Sequence, residues 1–261
     1  MANQVGTTRA KQTKSATVLY VYGVTAVTDK PLAAPSVGVD GVAPVEPVKF
    51  QKLICWVSRV SAVEFGEQLQ SNMEKLEWLA NASVRHQQAV SAISEQIDVL
   101  PARFGTVFTS EATLLDDLKR RKRSITATLK RVAGAEEWGV KVFASPEALP
   151  VAESAKSGRE YLQRKAAVLQ HRTEQKTDAD LGRLASALRK VSLDEAPLGK
   201  LSAGQRNLQW QASFLVRRAD RAKFNAVLRQ FASKQAGRKA GKTLECTGPW
   251  PPYSFVSRDG R

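Results

Sequence analysis

Cysteine is nearly absent. The 261 residues hold only Cys55 and Cys246, neither with a CxxC neighbour, which excludes a disulfide framework and a thiolate zinc site. Each sits in an apolar, strand-like stretch, where a lone cysteine behaves as a small buried hydrophobe. Histidine is as rare: His86 and His171 fall in different halves, and neither has a second ligand at metal-binding spacing. His86 lies on an apolar helical stripe and reads as a core histidine. Acid is short too, with 25 Asp and Glu against 40 Lys and Arg, a net charge of +15. Residues 1–145 carry 18 bases against 14 acids, residues 146–261 carry 22 against 11. Such a balance points to an acidic partner or surface reached by long-range steering. No run approaches the ~18 apolar residues of a membrane helix. The run 16–27 follows Arg9, Lys11 and Lys14 as a signal sequence would, but Gly23 interrupts it and β-branched and aromatic residues dominate it. It reads as a strand in a cytoplasmic protein.

The familiar reactive patterns are missing as well. AGRKAGKT at 236–243 comes close to a phosphate-binding loop, yet Ala236 stands where the leading glycine belongs, and a helix precedes it where a strand is needed. A basic turn accounts for it. Asp116 and Asp117 are adjacent on a helix and point ~100° apart, so they form no carboxylate dyad. No serine or cysteine sits in a nucleophile elbow. The expectation is a non-enzyme with no catalytic residue, cofactor, metal or small-molecule substrate.

Nucleic acid is the rival partner. KRRKR at 119–123 packs five cations into little more than one helical turn, and nine cations from Arg217 to Lys242 face one acid, Asp220. Among these, Arg217, Arg218, Arg221, Arg229 and Lys234 are candidates for a partner-facing basic surface. A ferredoxin-like sheet can bind RNA by stacking bases on strand aromatics, and Arg103–Phe108 faintly resembles that strand motif. It lacks the glycine after the cation and is one residue short. KRRKR, moreover, lies on the solvent side of an amphipathic helix. The residues therefore favour a protein-binding or scaffold role over specific nucleic-acid binding, with a basic RNA-binding α+β protein as the alternative.

Composition is otherwise that of a folded chain, 43% hydrophobic and 25% charged. Residues 1–16, polar and basic without periodicity, predict a disordered tail. Thr17–Val24 predicts a buried strand, 28–48 a Pro/Gly-rich loop, and Lys49–Val60 a second strand. Val63–Ile97 is helical with a break near Asn81–Ser83. Its stripes are Phe65, Leu69, Met73, Leu76 and Ala80, then His86, Val90, Ile93 and Ile97. Pro101 ends that region, and Arg103–Phe108 predicts a third strand. A helix opening at Ser110 carries Leu114, Leu118, Ile125, Leu129 and Val132 inward and stops at Gly134; Glu137–Phe143 predicts a fourth strand. The sum is a two-domain α+β chain, with an N-terminal ferredoxin-like sandwich over 17–144 and a linker at 145–156. A C-terminal α+β domain with long helices follows over 157–247. There, Gly158 to about Ser192 is helical with the stripe Leu181, Leu184, Leu188 and Val191. Leu208–Val216 alternates strictly, which predicts one buried face and one wet. Asp220 caps a last helix bearing Phe224, Val227, Leu228 and Phe231, and Lys242–Thr247 closes the sheet.

Residues 248–261 form a strap. Pro249, Pro251 and Pro252 exclude helix and argue against a central strand, leaving an extended, polyproline-like path. On its three-residue repeat Trp250 and Tyr253 share one edge, and two large rings on a stiff edge should be buried. Gly248, Pro249, Trp250, Pro251, Pro252, Tyr253 and Phe255 are thus expected to dock on the body of the protein itself.

That ending, TGPWPPYSF at 247–255, resembles the closing signature of the gas vesicle protein GvpL/GvpF family. LYVYGV at 19–24, DVLPARFGTVF at 98–108 and EWGVKVF at 137–143 match in the order of that family, and GREYL at 158–162 is a weaker fifth. The family-motif core is Tyr20, Tyr22, Gly23, Pro101, Arg103, Phe104, Gly105, Trp138 and Gly139. The resemblance implies a non-enzymatic accessory protein of gas vesicle formation. It would bind the small hydrophobic shell protein GvpA, or other accessory gas vesicle proteins, and be located at the gas vesicle in the cytoplasm. The basic segment 1–16 and the insertion 28–48 inherit nothing from it. An apolar shell subunit would need an exposed apolar patch or a sheet edge, expected near Leu19–Val24 or Leu208–Val216, and the basic second half would attract acidic segments.

Overall fold

The computed structural model describes residues 16–144, 179–197, 207–236 and 242–256. The expectations for the tail 1–15, the linker 145–156, the helix before residue 179, His171, the turn 237–241 and the last five residues lie outside them. The chain divides into two compact units, Met1–Ala127 and Thr128–Arg261.

The first unit is built on β1 (Thr17–Ala26), β2 (Glu46–Phe50) and β3 (Leu53–Ser61), followed by a π-turn at Val63–Glu67, α1 (Leu69–Met73) and α2 (Leu76–Ser94). Next come the short β4 (Val99–Pro101) and β5 (Val107–Phe108), then α3 (Glu111–Val132), whose last turn belongs to the second unit. The sheet is antiparallel in the order β2-β3-β1-β4, with β5 also on β1. β1 is central and buried on both sides from Val18 to Val24, as its unbroken apolar run requires.

Lys49–Val60, expected as one strand, is a hairpin that turns at Gln51 and Lys52, with Gln51 at φ 55°. Gln-Lys carries none of the glycine or asparagine that usually marks a two-residue turn. Arg103–Phe108 is likewise not one strand. Pro101 lies in β4, which pairs with β1, and residues 102–106 turn before β5, with Gly105 at φ +79°. In the helical region the break falls at Glu74–Lys75 and α2 runs through Asn81–Ser83. Leu76 and Ala80 face solvent instead of the core, whereas His86, Val90 and Ile93 are buried.

The second unit contains β6 (Ala135–Ala144), α4 (Ala179–Lys190), β7 (Asp194–Pro197), β8 (Leu208–Arg217), α5 (Arg221–Gln235) and β9 (Lys242–Trp250), in the antiparallel order β7-β8-β6-β9. The strand expected to complete the first sheet, Glu137–Phe143, therefore pairs with β8 and β9. The first sheet draws its strands from 17–108 alone, so the ββαβαβ order expected for 17–144 is not what forms. On one side of the second sheet Trp138, Val140, Val142, Ala212, Phe214 and Val216 meet Leu181, Leu184 and Leu188 of α4 and Phe224, Leu228 and Phe231 of α5. The other face of β8 is wet only in its first half: Gln209 and Gln211 are partly exposed, whereas Ser213 and Leu215 are buried, Leu215 under Val132, Ala135 and Phe255. Asp220 holds the N-cap position of α5 but makes no capping bond; its carboxylate accepts from Lys223 Nζ at 2.8 Å.

Candidate functional site

No group of three or more His, Cys, Asp or Glu able to hold a metal occurs among the described residues. What the structure builds instead is a clasp, an aromatic cluster and two kinds of exposed surface.

The clasp begins where β9 leaves the sheet. Gly248 sits at φ +131°, and a Cβ there would lie 2.8 Å from the Glu137 carbonyl oxygen and 3.2 Å from the Trp138 ring, so only glycine fits. Pro251 and Pro252 are buried, and the 3-10 turn Tyr253–Phe255 brings Phe255 to 4% exposure against Val132, Ala135 and Leu215. Ser254 donates its N–H and its hydroxyl to the Glu137 carboxylate at 2.8 and 2.5 Å. Arg131 donates to the Phe255 carbonyl at 2.5 Å and to Asp194 at 2.9 Å. Glu137 is 7% exposed, and a buried carboxylate is tolerable only with such donors in place. Burial, then the Glu137 charge, pushes the Tyr253 phenol upward.

Of the expected edge of Trp250 and Tyr253, only Tyr253 turns its phenol into the protein. Trp250 is 42% exposed and Tyr253 half-buried. β9 continues as a pleated strand to Trp250, opposite Glu137, so a period of two governs and not three. Phe255 and the two prolines are the anchors.

In the first unit Tyr20 and Tyr22 are fully buried beside His86, Phe65 and Phe104, with ring centroids 5.2–6.2 Å apart. Tyr20 Oη lies 3.0 Å from His86 Nδ1 and accepts from the Gly105 N–H at 3.2 Å. Tyr22 Oη donates to Ser58 at 2.9 Å and accepts from Val39 N–H at 2.7 Å, which ties the insertion to the sheet. Desolvation lowers the His86 imidazole to about 4, while a hydrogen bond to the Ala102 backbone works the other way. Burial raises the Cys55 thiol to about 12, with a smaller push from Asp117, and raises Cys246 to about 11. Neither is a thiolate at neutral pH.

The five candidate basic residues do not act alike. Arg221 donates to both Glu136 oxygens at 2.7 and 2.6 Å, and Trp138 Nε1 donates to the same carboxylate at 2.9 Å. Its guanidinium lies 6.0 Å over the Trp138 ring, so this arginine is structural. Arg217, Arg218, Arg229 and Lys234 are exposed. The other surface is apolar. Leu76 is 82% and Val84 54% exposed on α2, with exposed Ala80 between them at four-residue spacing.

A family model described as gas vesicle synthesis protein GvpL/GvpF matches residues 18–257. This chain belongs to the GvpL/GvpF family. Gas vesicle protein L of Streptomyces sp. (strain CB03234) is 31% identical over 251 residues, covering 91% of this chain and 92% of that protein. Gas vesicle protein F2 of Halobacterium salinarum is 26% identical over 239 residues, at 91% of each. The crystal structure of GvpF from Anabaena sp. PCC7120 superposes with TM-score 0.71 at 14% identity, covering 94% of this chain and 98% of that one. GvpF from Microcystis aeruginosa gives 0.64 at 12%, covering 92% and 99%. The fold is shared.

For a GvpL/GvpF chain the sequence motifs acquire physical reasons. A Cβ on Gly23 would lie 2.7 Å from the Leu100 carbonyl, which is why β1 carries glycine where β4, ending at Pro101, crosses it. Arg103 is exposed, and its carbonyl accepts both Thr106 donors, shaping the turn that delivers Phe104 and Gly105 to Tyr20. Gly139 leaves room for Thr247, whose Oγ1 would be 2.8 Å from a Cβ. EWG and TGPWPPYSF are thus two halves of one contact, between β6 and the clasp. Glu136, Ser254, Arg131 and the outward Leu76 and Val84 escape a sequence reading. The signal available for the first was two adjacent acids in an otherwise apolar strand.

Proposed function

We propose that this gas vesicle accessory protein is non-enzymatic and binds the hydrophobic shell protein GvpA, or other accessory gas vesicle proteins, during assembly, as a chaperone or scaffold at the vesicle in the cytoplasm. Family membership over 18–257 carries the reading. A physical feature supports it. Leu76, Ala80 and Val84 lay an apolar stripe of about 12 Å along α2, since four residues rise ~6 Å. Exposed Glu77 and half-buried Arg85 flank it. An apolar shell subunit can cover such a stripe, which otherwise leaves two large side chains in water.

The two strands expected to offer a sheet edge are both internal: β1 lies between β3 and β4, β8 between β7 and β6. Of the edges, β7 and β2 are short and each carries acid and proline, β4 is three residues long, and the nine-residue β9 has Lys242 at its start and Pro249 near its end, features that discourage pairing. The helix face is the better docking surface. No described helix is long and apolar enough to cross a membrane. The protein-partner reading over the RNA alternative is supported by Phe104, whose ring packs against Tyr20, Trp78 and His86. The test is co-purification of the tagged chain with GvpA, alongside a Leu76→Asp/Val84→Asp variant. Retention by the wild type and loss by the variant support the reading. No retention of GvpA or any other gas vesicle protein, with RNA carried through at physiological salt, would overturn it.

A further inference from the structure

The second unit holds a cleft of about 210 Å³ between the end of α4 and the start of α5. Lys190, Leu193, Arg217, Asp220 and Lys223 line it. Most cations nearby are already neutralised. Arg183 pairs with Asp180, Arg189 with Glu195, Arg221 with Glu136 and Lys223 with Asp220. Among the described residues the side chains of Lys190 and Arg217 form no salt bridge or hydrogen bond, Arg217 acting on Asp220 only through its charge, and both open onto this one cleft. Arg229 and Lys234 are exposed on α5 and line no part of it.

The floor is rigid. Val191 N–H and Ser192 Oγ–H donate to the Leu188 carbonyl at 3.1 and 2.8 Å, and Leu193 N–H donates to the Leu215 carbonyl at 2.7 Å. Arg217 follows directly on the buried stretch Ala212–Val216 of β8, so its backbone is fixed from one side. Three cations and one acid leave the lining with two net positive charges, and Leu193 adds an apolar wall at 38% exposure.

We propose that this cleft binds an acidic polypeptide segment of a protein partner, with carboxylates on Lys190 and Arg217 and a neighbouring apolar side chain on Leu193. This deepens the partner-binding reading above and rests on it. Peptide is favoured over nucleic acid on two counts. No aromatic ring lines the cleft to stack a base. A leucine wall suits a side chain better than a sugar–phosphate backbone.

The test is fluorescence anisotropy of a labelled hexaglutamate-leucine peptide titrated with the full chain at 150 mM salt. Lys190→Glu and Arg217→Glu are compared with Lys234→Glu, which makes the same charge change outside the cleft. All three positions are exposed, so the fold should survive. The expected result is about a tenfold weakening for each cleft variant and less than about twofold for the control. Equal weakening by all three would reduce the binding to diffuse attraction and overturn the proposal. So would tighter binding of a six-nucleotide poly-uridine with the same response to Arg217→Glu. GvpA retention unaffected by both cleft variants would sink the cleft while leaving the wider reading intact.

Discussion

Replacing Phe255 by alanine should unlock the clasp. The ring is 4% exposed against Val132, Ala135 and Leu215, where it seals the second face of β8. Truncating a buried phenylalanine costs ~3–5 kcal/mol, the low end applying where neighbours can collapse into the gap. The apolar cluster around it is small, Val132, Ala135 and Leu215 with half-buried Ala196 packed against them, so about 3 kcal/mol is expected. With a urea m of ~2–3 kcal/mol per molar, that lowers the midpoint of the second unit by about 1 M. Tryptophan fluorescence is a suitable probe, since Trp138 and Trp210 pack in or against that core. Trp250→Ala is the internal contrast: with the ring 42% exposed, it should cost under about 1 kcal/mol. A midpoint change below about 0.2 M for Phe255→Ala, or a larger loss for Trp250→Ala, would show that the aromatic anchor has been misassigned.

Glu137→Gln and Ser254→Ala should each destabilise by about 1–2 kcal/mol and be non-additive when combined, because they break the same buried contact; a double-mutant cycle in urea checks this. Stability should also fall with acid. His86, lowered in the folded state to about 4 from an ordinary 6.5, is protonated first in the unfolded chain. Its contribution is therefore complete above pH 6.5, declines as pH falls through that value, and is fully lost below about 4, in all about 3 kcal/mol. Urea midpoints from pH 7.5 to 4 should show the slope in the wild type and a flatter one in His86→Phe. Gly23→Ala should cost roughly 1–3 kcal/mol, since the new methyl meets the Leu100 backbone at 2.7 Å, and thermal melting would register it.

Much of this architecture is legible in the chain, and the losses have identifiable causes. Continuous apolar runs at Thr17–Val24 and the stripe Leu114–Val132 translate directly into a central strand and a helix, since burial pattern and period agree there. Lys49–Val60 does not, because a two-residue turn at Gln51 carries no compositional mark. Glu137–Phe143 reads correctly as a strand but not as part of its true sheet, because partner choice depends on long-range pairing with β8 and β9 that local pattern does not encode. The strap shows the same limit. Its prolines suggest a period of three, yet backbone pairing to β6 imposes two and turns Trp250 outward. The surfaces are least legible of all. Arg221 and Arg217 look equivalent in sequence, while a buried Glu136 claims the first and leaves the second to line a cleft.

The most direct measurement is a sedimentation assay at physiological salt. Purified shell subunit is diluted from denaturant with and without an equimolar amount of this chain, and the supernatant is quantified. Shell protein held in the supernatant by the wild-type chain, and pelleting with the Leu76→Asp/Val84→Asp variant, is the expected outcome. Shell protein pelleting equally in all three tubes would contradict the account.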